Sequence, residues 1–458
     1  MSPYPVEFNP FGKPLRLVRS TDLSRLRSVA EGWFVEYKSE VPKEGMRAIA
    51  KSMCAFANQH GGWLIFGVKP HSGKFKVPES FPGLGESETR ELERTVRNAA
   101  DQHVSPSVEY RLRALRGPVP EIGLSEGREV LVVLVPEGAR SPYIHSSGYI
   151  YRRFDDESRP EKDRFAIEAL YERSSKSAET LRAFLGSTPQ LSKGESEDQA
   201  FLHVYLLSDP LRGRGHFSRL EFDDFASIMG AELDTQSIGL PFDNAFMMSG
   251  GYVARQTRGQ DPYDMAFTWK YFQTGCASLI SVPLRSTPIR TSEMPAFLAG
   301  YSTARRFAEA LESGGLKYGA VIDLCVVFDA LAAIMTKHRR LAHADRIDGP
   351  FYAKAQLQNI WRRVPFWDSQ GYVDFLAAHG LPVLQEGRVT APPGTDHESL
   401  VMLPQRRFRA TAPTSLRALA RDVAPLFGAI VASLGIPPRL IADDEILEVG
   451  QRARMRMS

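Results

Sequence analysis

Two glutamates and a lysine, Glu31, Glu36 and Lys38, fall close together in the segment EGWFVEYK. Carboxylate oxygens are hard ligands suited to Mg2+ or Mn2+, and a neighbouring lysine can neutralise a phosphate or orient a water for attack. The three residues therefore make a candidate catalytic set for phosphodiester hydrolysis. Glu31 and Glu36 are its candidate metal ligands, and Lys38 would stabilise developing charge. The competing reading is a solvent-facing ion pair on an edge strand.

The elements that would position them are legible nearby. Residues 34–38 have the composition of a strand, in which successive side chains face opposite ways. Phe34, Glu36 and Lys38 are then expected on one face, and Val35 and Tyr37 on the other. Glu31 lies an odd number of positions upstream of Glu36, so it must reach the same site through the turn at Gly32. Met46 to Asn58 carries Met46, Ile49, Met53, Phe56 and Ala57 at helical spacing. Gly61-Gly62 supplies a helix stop, and Trp63 to Val68 is an apolar run expected of a strand covered on both faces. Glycines that follow a helix stand in the reverse of the order that presents a helix N-terminus to phosphate. The chain contains no G-x-x-x-x-G-K-[ST] either, so no phosphate-loop motif supports ATP binding. Farther along, Tyr149, Tyr151 and Arg153 are expected on one strand face and Arg152 on the other. Aromatic side chains with arginine suit base stacking and phosphate contact. The alternative is core tyrosines and arginines paired with Asp155, Asp156 and Glu157.

VEYK, AFANQHGG, WLIFGV, and then PYIH and GYIYRR, together resemble the Schlafen-type AlbA domain family over about residues 20 to 172. The resemblance implies a nucleic-acid-binding α/β domain, which in some members is an RNA endonuclease using three carboxylates. Glu31 and Glu36 match the first two. The third belongs just after the glycine-valine strand, where this chain has Lys69-Pro70. Glu40, Asp101 and Glu168 are the acidic residues that would substitute for it if folding brings one to Glu36. Arg153, Arg152, Tyr151 and Lys69 are the candidate nucleic-acid contacts.

Composition frames the rest. The chain has 458 residues, 43% hydrophobic and 24% charged, ordinary values for a globular protein of two or three domains. Basic residues exceed acidic ones only by 57 to 54, so any nucleic-acid surface must be a local patch. Cys54, Cys276 and Cys325 are widely spaced in apolar surroundings and predict buried thiols in a reducing, cytoplasmic compartment. No segment reads as a signal peptide or membrane span. The expected organisation is a lead-in at 1–20, the Schlafen-like α/β domain at 21–173, a linker at 174–198, and an α+β module at 199–458. That module has strands to about residue 285 and mostly helices after Pro295. Its basic segments are Lys337-His338-Arg339-Arg340 with His343 and Arg346, Arg212-Gly213-Arg214-Gly215-His216, and the tail arginines Arg452, Arg454 and Arg456. The function expected is binding of RNA or DNA, with metal-dependent cleavage in defence or regulation if Glu31 and Glu36 hold an ion. The alternatives are a non-catalytic binder and a nucleotide-responsive regulator or scaffold. A protein partner or trigger is expected at the C-terminal module, and self-association stays open.

Overall fold

In the computed structural model the described residues are 8–41, 45–73, 76–187, 199–208, 218–231, 242–257, 266–345, 347, 351–403 and 416–440. They fall into two compact units, one ending at Thr180 and the other starting at Leu181. Residues 212–216, Arg346 and the tail arginines lie outside the described residues.

The N-terminal unit is built on a five-stranded mixed sheet. Strand β1 (Val35–Lys38) is joined by helix α1 (Met46–Ala57) to β2 (Gly62–Phe66), and the two strands run parallel. This is the geometry that a strand–helix–strand crossover permits. β3 (Arg111–Arg116) and β2 both pair antiparallel with β4 (Arg128–Val135), as does the short Leu84–Gly85. Alternation in β2 and β4 then covers both faces. Leu64, Phe66, Leu131 and Val133 pack with α1 and with α2 (Glu86–His103). Trp63, Ile65, Val130 and Val132 pack with Phe11, Leu23, Val35 and Tyr37. A separate hairpin, β5 (Tyr151–Phe154) with β6 (Glu157–Pro160), lies against α1. Helix α3 (Arg164–Gly186) then runs through much of the stretch where a linker at 174–198 is expected. Its sparse apolar positions explain the difference, because Ser, Lys and Glu fill the exposed face of a helix as readily as they fill a loop.

In the C-terminal unit the strands are β7 (Gln199–Ser208), β8 (Asn244–Met248), β9 (Gly251–Gln256), β10 (Phe267–Phe272) and β11 (Ala277–Arg285). They continue past residue 285 as β12 (Tyr318–Asp323), β13 (Phe351–Gln358), β14 (Arg363–Phe366) and β15 (Arg388–Ala391). An antiparallel sheet runs in the order β8, β9, β10, β11, β7, β13, β15, with Val401–Met402 also on β13. A smaller sheet pairs β12 with parallel β14 and with Ile289–Arg290. The helices are α4 (Phe222–Gly230), α5 (Ala304–Ser313), α6 (Leu324–Ala344), α7 (Gln370–His379) and α8 (Leu416–Ser433).

Helix predominates after Pro295, as expected, with four strands and the short Val401–Met402 set between the helices. Ala320–Leu341 is one apolar run that serves first as a strand and then as a helix. Asp323 marks the junction, its Oδ1 accepting from the Cys325 and Val326 N–H groups at 3.0 and 3.3 Å. Lys354–Gln358 belongs to β13 and Arg363 opens β14, and because β13 lies inside the sheet its buried run lacks the alternation that identifies a half-exposed strand. The basic run 337–340 is largely internal. Lys337 donates to the carbonyls of Ile228, Met229 and Ala231 at the end of α4, and Arg339 pairs with Asp422. The three cysteines are buried free thiols. Among the described residues no helix is long and apolar enough to cross a membrane.

Candidate functional site

β1 sends Val35 and Tyr37 into the core on one face of the sheet, so the pleat turns Glu36 toward α1. There its carboxylate is fully engaged. Oε1 accepts from Ser52 Oγ at 3.0 Å and from Lys38 Nζ at 2.8 Å, and Oε2 accepts from Arg153 Nη1 at 2.7 Å. The Arg153 guanidinium reaches in from β5, donates through Nη2 to the Gly32 carbonyl at 2.8 Å, and lies over the Phe56 ring 5.0 Å from its centroid. Glu36 is 5% exposed and Arg153 1%, whereas the Lys38 side chain keeps about a third of its surface in solvent. Such a pair is a charge-assisted contact inside a low-dielectric environment, flanked by a cation–π contact.

Glu31 arrives through the Gly32 turn, as its odd spacing requires, and its Oε1 accepts the Tyr37 N–H at 2.9 Å. Burial raises its carboxyl above the ordinary range and the neighbouring Glu36 adds to the rise, while the Tyr37 N–H, Lys38 and Lys76 oppose it. Phe34 departs from expectation. The regular strand starts one residue later, and Phe34 packs with the Val35 and Tyr37 cluster instead of sharing the face of Glu36.

A divalent ion does not fit this arrangement. The positions around Glu36 where a cation would sit are held by an ammonium and a guanidinium. No group of three or more His, Cys, Asp or Glu able to hold a metal occurs among the described residues. Of the three substitutes for a third ligand, Asp101 accepts from Ser107 and Glu168 pairs with Arg164.

The other predicted contacts separate. Arg153 is a buried partner of Glu36, which corrects its expected role in phosphate contact, since a side chain with 1% exposure cannot meet a polyanion. Arg152 points the opposite way, as predicted, and pairs with Glu161 at 2.7 Å. Lys69 lies on a short hairpin with Pro78–Ser80, where it pairs with Glu79 at 3.0 Å. Tyr151 is half-buried, beneath Lys51 Nζ at 5.2 Å and edge-on to His145.

Residues 31–162 match the family model described as Schlafen, AlbA_2. This region is a Schlafen AlbA_2 domain. Comparison with curated protein sequences gave no match. Among solved structures, the domain is similar to the N-terminal domain of a RecG-related protein from Nitrosomonas europaea. The two are 21% identical with a TM-score of 0.23, over 32% of this chain and 94% of that one. It is also similar to the DIP2311 protein from Corynebacterium diphtheriae, at 16% identity and a TM-score of 0.20, over 37% of this chain and 29% of that one.

Within the AlbA_2 domain the AFANQHGG segment has a structural use that spacing alone does not reveal. Phe56 is the floor under Arg153. Asn58, 1% exposed, donates through Nδ2 to the carbonyls of Tyr143 and Tyr151 at 2.7 and 3.0 Å and accepts the Tyr143 N–H at 2.7 Å. Gln59 accepts the Arg153 N–H at 2.9 Å. Gly61 has φ +72°, and a Cβ there would stand 2.8 Å from the Val135 carbonyl oxygen. A Cβ on Gly62 would stand 2.1 Å from the Phe56 ring. The motif is a seat that fixes β5 and delivers Arg153 to Glu36. Ser52, Asn58 and Gln59 belong to the site although none stands out as a chemical group in the sequence. For Asn58 the available signal is its fixed place in the AFAN-x-x-GG pattern; Gln59 occupies an open position of that pattern and Ser52 lies outside it.

Proposed function

We propose that the AlbA_2 domain binds nucleic acid and that Glu36 serves it as a buried ion-pair acceptor instead of a metal ligand. The observation that carries this reading is the saturation of the Glu36 carboxylate by Ser52, Lys38 and Arg153. A carboxylate between two cations is neutralised without a divalent ion, so Glu31 and Glu36 organise the fold around Gly32 and β5. The nucleic-acid part rests on the family likeness of residues 31–162. It is consistent with a near-balanced net charge only if binding uses a confined basic patch.

The test is a mobility-shift titration of the full chain against a tRNA and a single-stranded DNA at low and at physiological salt. Binding that weakens steeply as salt rises is the expected result, because phosphate contacts release counterions. Absence of binding to either polymer at low salt would overturn it.

A further inference from the structure

The cations just described are spent on carboxylates, yet one face of the AlbA_2 domain keeps its own. Arg47 and Lys51 stand one helical turn apart on α1. Neither has an ion-pair partner among the described residues, in contrast to Lys38, Lys69, Arg152 and Arg153. Lys51 Nζ lies over the Tyr151 ring, Tyr149 stands edge-on to Tyr151 at 6.2 Å, and Tyr149 is 54% exposed.

Two histidines complete the face. The His145 ring is edge-on to Tyr151 at 5.4 Å and stacks with His103 at 6.4 Å. His145 Nε2 meets the Arg47 carbonyl oxygen at 3.2 Å and Nδ1 meets Ser147 Oγ at 2.7 Å, while His103 Nδ1 meets Ser146 Oγ at 2.9 Å. The loop between the two tyrosine-bearing segments is thereby fastened on both sides, so Tyr149 is presented on a fixed support. Burial lowers the His145 pKa most, the hydrogen bond to the Arg47 carbonyl opposes it, and the nearby His103, Arg47 and Lys51 side chains lower it further.

We propose that Tyr149, Tyr151, Lys51 and Arg47 form a binding site for single-stranded nucleic acid. One base stacks on the exposed Tyr149 ring, and the flanking phosphates are held by Lys51 and Arg47. An exposed aromatic beside cations that have no ion-pair partner among the described residues suits an unpaired base, whose face is free, and not a duplex, whose bases are already stacked. The proposal rests on the reading that this domain binds nucleic acid, and the test separates the two.

The test measures fluorescence anisotropy of labelled single-stranded RNA, single-stranded DNA and duplexes of the same sequence with the full chain and with Tyr149→Ala, Tyr149→Phe and Arg47→Ala/Lys51→Ala. The expected result is preference for the single strands of either sugar. Tyr149→Ala weakens binding about tenfold while Tyr149→Phe restores it, as stacking requires a ring and no hydroxyl. The double cation variant lowers the slope of log affinity against log salt by about 1.4, or about 0.7 for each single-strand phosphate released. Single-strand binding that is unchanged in Tyr149→Ala and in the double variant, or equal affinity for duplex, overturns this site and leaves the nucleic-acid reading standing. Absence of binding to every polymer overturns both.

Discussion

Replacing Glu36 with Gln distinguishes a buried ion pair from a metal site by the sign of its effect on stability. If Glu36 anchors Arg153, Glu36→Gln leaves a guanidinium that is 1% exposed without its counter-charge. Breaking a buried pair from one side destabilises by about 3–5 kcal/mol. The lower end applies, because Arg153 keeps the Gly32 carbonyl, Ser158 Oγ and the Phe56 ring. For a unit of this size about 3 kcal/mol lowers Tm by roughly 6–12 °C. The assay is scanning calorimetry of the full chain, following the transition that shifts. Arg153→Met should destabilise similarly, and the double variant should lose clearly less than the sum of the two, with a coupling of at least about 1 kcal/mol. A carboxylate held for a metal behaves oppositely, since without the ion it is a repelling charge whose removal relieves the fold. Glu36→Gln with unchanged or raised Tm would refute the structural assignment.

Other perturbations follow from the same geometry. Asn58→Ala removes two donated bonds and one accepted bond that tie Tyr143 and Tyr151 to α1, and should cost about 3 kcal/mol by urea denaturation. Gly62→Ala should displace Phe56 and with it Arg153, lowering Tm by several degrees through a substitution that adds one methyl. In the C-terminal unit, His338 is buried with no hydrogen bond to either ring nitrogen among the described residues, and its pKa is pushed down to about 4, chiefly by burial and then by Arg339. The unfolded imidazole takes up its proton near pH 6.5 and the folded one only near 4. Stability should therefore fall as pH drops through that window, by up to about 3 kcal/mol from this residue. Denaturation curves at pH 7 and pH 4.5 should show a smaller difference in His338→Leu than in the parent chain.

The α/β core was legible because its signals are local. The helix at Met46, the glycine stop and the buried strand after it each follow from a few adjacent residues, and the structure reproduces them nearly to the residue. What escaped was decided across long separations. Arg153 meets Glu36 across 117 positions of sequence, so the sequence offers two plausible groups and no hint that one consumes the other. Tyr151 and Lys51 become neighbours only through the β5 strand seated by Asn58. In the C-terminal unit, β12 and α6 share one apolar run. Asp323 divides them through hydrogen bonds to the helix N–H groups, a division that periodicity alone does not register.

The most direct measurement incubates the full chain with end-labelled single-stranded RNA in EDTA and in Mn2+. It reads binding by anisotropy and strand integrity on a denaturing gel from the same samples. A domain whose Glu36 is committed to Arg153 and Lys38 binds equally in both and leaves the strand intact. Cleavage that appears only with Mn2+ and disappears in Glu36→Gln would contradict the account.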